Sequence, residues 1–362
     1  MQQLMIEKQR KEISFKGQNI YVGIDVHLKS WSVTVLSENS VLKRFVQAPD
    51  PDALYKFLSR NYPGASYHSV YEAGFCGFWI HEMLTSLGIE NIVINPADVP
   101  TTAGERVQKT DAVDSAKLAR ALRARALNGI YTPDSTSLEV RSLIRLRSTI
   151  TKDMARQKNR IKSHLRFLGY EIPAEYCNRD WPKRFITWLR GLDMKTRSGR
   201  QSLDFMLDLL EDLRKEKLQM TRALRALSRT EQYEKPLELV TSVPGVGQQI
   251  GMALLAEIVD IRRFRDAEHL AKYVGLVPMC HSSGDKDGAG DITIRKHAFL
   301  RTLIVEASWQ AVRHDPAMTL AFESFCRRMR PSKAIIKIAR KLVNRIYFVM
   351  KWQTPYVTNV VS

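Results

Sequence analysis

Four acidic side chains in this sequence could together do chemistry that none does alone. Asp25 lies in YVGIDVHLKSWSVTVL, Glu72 in YHSVYEAG, and Asp111 and Asp114 in KTDAVDSAKLARAL. The first two sit in or at the end of β-rich runs. The last two are three residues apart, which puts both on one face at the start of a helix. Carboxylates converging from two strands and a helix start are hard oxygen ligands, suited to Mg²⁺ or Mn²⁺. Taken singly, each has an ordinary role, and Asp111 could be a helix N-cap with Asp114 in the first turn. Taken jointly they favour a metal site, because clustered like charges are costly without a cation.

A second candidate is the Ser282-Ser283 pair in HSSGDKDGAGD. The Gly/Ser/Asp-rich stretch 281–291 reads as an irregular loop. Composition alone makes its serines part of a solvated turn, and His281 beside Ser282 does not establish a nucleophile–base pair. Lys286, Arg295 and Lys296 nearby could stabilise a phosphate.

Basic residues supply the third signal. Between Arg141 and Gly169 stand nine Lys/Arg (Arg141, Arg145, Arg147, Lys152, Arg156, Lys158, Arg160, Lys162, Arg166) against one Asp. Leu143, Leu146, Ile150, Met154, Ile161, Leu165 and Leu168 recur at helical spacing, so the stretch predicts a long basic amphipathic helix. Phosphate binding explains the surplus better than a solvated face whose charges repel. In SVPGVG, Gly245 and Gly247 fit a helix-hairpin-helix turn with backbone N–H groups open to a phosphate, or a plain joint between helices.

The whole chain has 362 residues and a formal net charge of +18. That surplus favours nucleic acid over an anionic membrane. No stretch reaches a membrane span, and the polar start lacks an apolar run of signal-peptide length. Cys76, Cys177, Cys280 and Cys326 form no CxxC pair. A reducing cytoplasm is the default.

The elements that must position these residues follow from periodicity. Strands are predicted at 20–26, 31–37, 40–47, 67–72 and 91–95. Helices are predicted at 51–61, 78–88 and from about 111 to 128. The order β-β-β-α-β-α-β-α is that of a ribonuclease-H-like fold, in which the first and fourth strands and a late helix meet at one edge. The fold class is therefore α/β plus α. An N-terminal extension (1–18) precedes the α/β domain (19–135). A basic helical, coiled-coil segment (136–232) includes a second helix at 201–228 that could pair with the first or mediate oligomerisation. Residues 171–200 carry no assignment. A mostly helical C-terminal domain (233–362) holds the helix-hairpin-helix-like element, the serine loop and a last helix at 331–351, whose Lys333, Lys337, Lys341 and Arg345 recur at i,i+4 steps.

YVGIDVHLKSW, YEAG, INP, KTDAVDSAKLARAL, SVPGVG, YVGLVP, HSSG and IARKLVNRIY, in this order, resemble the insertion sequence 110 family of transposases, related to the pilin-gene invertase. The resemblance spans about 20–350. It implies a RuvC-like domain whose DEDD set is Asp25, Glu72, Asp111 and Asp114, and a transposase domain with a nucleophilic serine matched to Ser283, with Ser282 as the alternative register. It implies Mg²⁺ or Mn²⁺, target and donor DNA, a structured bridge RNA, and homodimers or homotetramers that pair the metal site of one protomer with the serine domain of another. The setting would be the nucleoid of a bacterium or archaeon. The loop HSSGDKDGAGD is more acidic than the family's usual Gly/Lys-rich version. The alternatives are a RuvC-like junction-resolving nuclease that uses water, and a non-catalytic nucleic-acid-binding protein.

Overall fold

The computed structural model describes residues 14–100, 110–176, 181–283 and 286–358, with the side chains of 280–291 outside that description. Contacts divide the chain into two compact units, 1–135 and 136–362.

The first unit is built on β1 (Asn19–Val26), β2 (Trp31–Leu36), β3 (Val41–Gln47), β4 (Ser66–Glu72) and β5 (Glu90–Ile94), in the spatial order β3-β2-β1-β4-β5. β3, β2 and β1 pair antiparallel, and β1, β4 and β5 pair parallel. β1 is central and buried on both faces, so the run from Ile20 to Ile24 is buried throughout rather than alternately. Ile20, Val22 and Ile24 join the core with Trp31 and Val33 under α1 (Pro51–Asn61) and α2 (Trp79–Ser86), through Leu54, Leu58, Ile80 and Leu84. Tyr21 and Gly23 face the other way, where Ala119 of α3 (Asp111–Arg123) packs on Tyr21 and Leu36.

Gly23 sets how close α3 comes. A Cβ there would collide with the carbonyl oxygen of Ser115 and lie 2.5 Å from the amide nitrogen of Ala119. Only a residue without a side chain admits the helix backbone at that distance. The Ser115 hydroxyl is tied to the Thr34 hydroxyl of β2 at 2.9 Å. The N-cap of α3 is Thr110, whose side chain accepts from the Val113 N–H. Asp111 is the first helical residue and not the cap.

The second unit opens with α4 (Ser135–Phe167), then α5 (Lys183–Gly191) and α6 (Arg197–Leu227). α4 and α6 run antiparallel. Ile161 and Leu165 at the end of α4 share a core with Leu203, Leu207 and Leu210 at the start of α6. At the other end the Arg147 Nε donates to the Thr221 hydroxyl at 3.0 Å. α5 occupies part of the stretch that sequence left unassigned, closing this core with Phe185 and Leu189 beside Trp181.

The remainder comprises α7 (Glu234–Thr241), α8 (Gln248–Ile258), α9 (Ala267–Val274), β6 (Pro278–Ser283), β7 (Lys286–Ile292), α10 (Ala298–His314), α11 (Pro316–Cys326) and α12 (Pro331–Trp352). Ile338, Leu342, Val343 and Ile346 of α12 lie in the core that these helices share. The stretch expected to be an irregular loop is instead a hairpin, with Cys280 opposite Ala289, Ser282 opposite Asp287 and Ser283 opposite Lys286. A Gly-rich strand without apolar alternation leaves no mark in composition, because backbone pairing alone specifies it. Among the described residues, no helix is long and apolar enough to cross a membrane.

Candidate metal centre and basic helix

Gly23 and Asp25 point to the same face of β1, because side chains alternate along a strand. The two-residue step from Gly23 to Asp25 rises about 6.6 Å. One turn back along α3, from Ser115 to Asp111, rises about 6 Å. Since Gly23 touches Ser115, the two steps bring Asp25 and Asp111 level. His27 joins them. Its Nε2 lies 3.2 Å from Asp25 Oδ2 and 3.5 Å from Asp111 Oδ2. One donor atom from each of Asp25, His27 and Asp111 falls within 4.8 Å of the others, a group that could hold a metal ion.

Glu72 ends β4. Ile24 of β1 pairs with Tyr71 of β4, so Asp25 and Glu72 follow at the same level of two neighbouring parallel strands. Asp114, one turn into α3, forms an ion pair with Lys117 at 3.1 Å. Burial holds the Asp25 carboxyl above its ordinary range; His27 opposes this, while the charges of Asp111 and Asp114 add to it. All four sequence-predicted carboxylates are thus at one end of the sheet, with Asp25 and Asp111 in closest association and Asp114 partly neutralised by lysine. The donor set fits a hard divalent cation, whose charge would relieve the strain on Asp25.

His27 escaped the sequence reading. Its signal was its place two residues after Asp25, just past the end of β1.

Ser282 and Ser283 lie at the tip of the β6–β7 hairpin, their side chains outside the described part. Along α4 the basic residues divide. Arg145 makes a two-pronged ion pair with the buried Glu257 of α8, at 2.6 and 2.8 Å. Arg147 is held by Thr221, and Lys158 and Lys162 lie 5.9 and 6.0 Å from the ring of Trp181. Lys152, Arg156, Arg160 and Arg166 are exposed. Arg156 pairs with Asp153 at 2.7 Å, and Arg160 donates to Gln157 at 2.6 Å.

Gly245 has φ +90°, and a Cβ there would collide with the carbonyl oxygen of Ala307 on α10. Close packing accounts for that glycine. Gly247 caps α8 and faces open space. In α12, Arg345 pairs with buried Asp315 rather than with solvent.

Glu257 was also missed by sequence. It is fully buried, and Arg141 (3.0 Å), Arg145 and His297 (3.2 Å) converge on it. The Nδ1 of His297 accepts from the Leu300 N–H, so its Nε2 carries the proton that Glu257 receives. Burial alone would raise the Glu257 carboxyl; the hydrogen bonds from His297 and Arg145 and the charges of Arg145 and Arg141 outweigh it and lower the pKa to about 2.

A group able to hold a divalent cation, on an α/β unit within a chain of net charge +18, is the build of an enzyme acting on nucleic acid. Two family models match: the DEDD-type IS110 transposase over residues 22–169, and the Transposase IS116/IS110/IS902 family over 237–323. A Sinorhizobium fredii protein bearing a transposase name, y4rJ, is 28% identical over 357 residues, 90% of each chain. The transposase for insertion sequence element IS1533 of Leptospira borgpetersenii is 23% identical over 299 residues, 81% of this chain and 85% of that one. The pilin gene-inverting protein of Moraxella bovis is 32% identical over 130 residues, 33% of this chain and 38% of that one. The chain belongs to the IS110 family of transposases and is a DNA transposase.

Proposed function

We propose that the first unit is a RuvC-like DEDD domain and that the enzyme cuts and rejoins target and donor DNA through a covalent phosphoserine. Asp25, Glu72, Asp111 and Asp114 would hold Mg²⁺ or Mn²⁺. A bound divalent cation polarises the scissile phosphate and offsets charge on the entering and leaving oxygens. The supporting observation is the meeting of Asp25 and Asp111 across the Gly23 contact, with Glu72 level on the next strand.

Ser283, or Ser282 in the other register, is the nucleophile in this reading. Its Oγ forms a bond to phosphorus as the bond from phosphorus to the 3′ oxygen breaks, and the serine proton ends on that oxygen. A 3′-hydroxyl of another strand reverses the step. The number of phosphoester bonds is conserved, so no ATP is consumed.

The exposed Lys152, Arg156, Arg160 and Arg166 of α4, with the N-terminus of α8 at Gly247, which carries no side-chain cap, would contact phosphates of DNA or of a bridge RNA. Assembly as a homodimer or homotetramer completes this reading, which rests on the resemblance given above.

The test is trapping of a protein–DNA adduct on substrate carrying the element's ends, with the RNA transcribed from its flanks. Wild type gives adduct, and Ser283→Ala gives neither adduct nor cleavage. A water-using nuclease would leave cleavage intact in both Ser282→Ala and Ser283→Ala, with no adduct in any sample.

A further inference from the structure

We infer that His27 is a nitrogen ligand of the cation held by Asp25 and Asp111, and that it shifts the preference of the site from Mg²⁺ toward Mn²⁺. This rests on the reading that the carboxylates hold a divalent cation, and adds a residue outside the DEDD set.

The position of His27 is fixed by the backbone. β1 ends at Val26, and the His27 N–H donates to the Ser30 carbonyl at 3.1 Å, closing the tight turn into β2. The side chain therefore leaves from a hydrogen-bonded turn on the same face as Asp25. Its Nε2 stands 3.2 Å from Asp25 Oδ2 and 3.5 Å from Asp111 Oδ2. Donors on neighbouring corners of an octahedron are about 3 Å apart when their bonds to the ion are about 2.0–2.1 Å. The imidazole thus sits near the corner spacing, and an ion placed among the three donor atoms meets two oxygens and one nitrogen.

Chemistry then gives the consequence. Mg²⁺ is satisfied by oxygen donors and gains little from imidazole, whereas affinity for nitrogen rises along the first-row series that begins with Mn²⁺. Asp114 pairs with Lys117 at 3.1 Å, and the donor group that includes His27 is completed by Asp25 and Asp111.

The experiment uses the full chain with Mn²⁺ as probe. Pulsed electron paramagnetic resonance reads nitrogen coupled to the ion, and the free Mn²⁺ signal gives the affinity, with Mg²⁺ added as competitor. Wild type, His27→Gln and Asp25→Asn are compared, and circular dichroism checks their folding. His27 has a half-exposed side chain and its turn bond is made by the backbone, so the variant keeps the fold.

The expected result is imidazole nitrogen coupling in wild type and its loss in His27→Gln. Mn²⁺ binding should weaken by at least about tenfold, the loss caused by removing even an outer partner of a ligand. Mg²⁺ binding should change less. Bound Mn²⁺ without nitrogen coupling in wild type overturns the inference, as does coupling that persists in His27→Gln. If Asp25→Asn loses Mn²⁺ while His27→Gln keeps wild-type affinity and preference, only the role of His27 falls. If wild type takes up no Mn²⁺, or Asp25→Asn binds it unchanged, the carboxylate site falls with it.

Discussion

Gly23 of β1 lies directly under Ser115 of α3, so close that a methyl group on Gly23 would overlap the Ser115 carbonyl oxygen. The colliding atoms belong to helix backbone and cannot swing aside. Gly23→Ala should therefore lift α3 from the sheet and separate Asp111 from Asp25. Overpacking of this kind costs about 1–3 kcal/mol. Thermal unfolding should show that loss, and metal-dependent cleavage should drop further than the stability change alone explains.

Asp25→Asn should do the reverse to stability. Burial and the nearby Asp111 and Asp114 raise the Asp25 carboxyl, so its ionised form disfavours the folded state above that raised value. In metal-free buffer at neutral pH the variant should melt at or above the wild-type temperature. Cleavage should fall by orders of magnitude, because a cation held there would contribute several kcal/mol to the transition state. A lower melting temperature with full activity would refute the metal-ligand role.

Thr110 and Asp111 separate capping from chemistry. Thr110→Ala should cost about 0.5–2 kcal/mol, the usual worth of an N-cap side chain, while leaving the Asp111 carboxylate in place. Asp111→Asn should leave the melting temperature unchanged or raised and abolish cleavage. Calorimetry and a cleavage assay on the two variants, side by side, check the division.

Glu257 governs acid stability of the second unit. Its folded pKa, about 2, lies below the ordinary 4.5. The stabilisation it gives is complete above the ordinary value and is lost as pH falls toward the folded one. Wild type should lose stability across that window. Glu257→Gln should lack this component and be weaker at neutral pH by about 3–5 kcal/mol, the cost of breaking a buried pair. Melting temperature against pH for both proteins reads the effect.

Along α4, Lys152, Arg156 and Arg160 are exposed, whereas Arg145 grips Glu257. Replacing the first three with Gln should weaken nucleic-acid binding across sequences. The slope of log affinity against log salt should flatten by up to roughly 0.9 per lost contact on duplex DNA. Arg145→Gln should instead lower the melting temperature, with little change in that slope.

The sequence by itself determined the element order of the first unit and the long basic helix, since apolar periodicity is a local property, and it singled out four carboxylates as candidates. The antiparallel partner of the basic helix was legible through the same periodicity. Tertiary structure decided which polar groups have which partners. Nothing near Glu257 in sequence announces Arg141, Arg145 and His297, which arrive from α4 and the start of α10. Nothing local makes Gly245 a packing residue, because the backbone it meets lies more than sixty positions away on α10. The hairpin at 278–292 also needed the fold, since glycine-rich strands pair through backbone alone. His27 and Asp111 share no sequence neighbourhood; they meet because Gly23 lets a helix backbone rest on a strand. Periodicity records which face of an element is buried, but contact between elements depends on atoms that only the folded chain brings together.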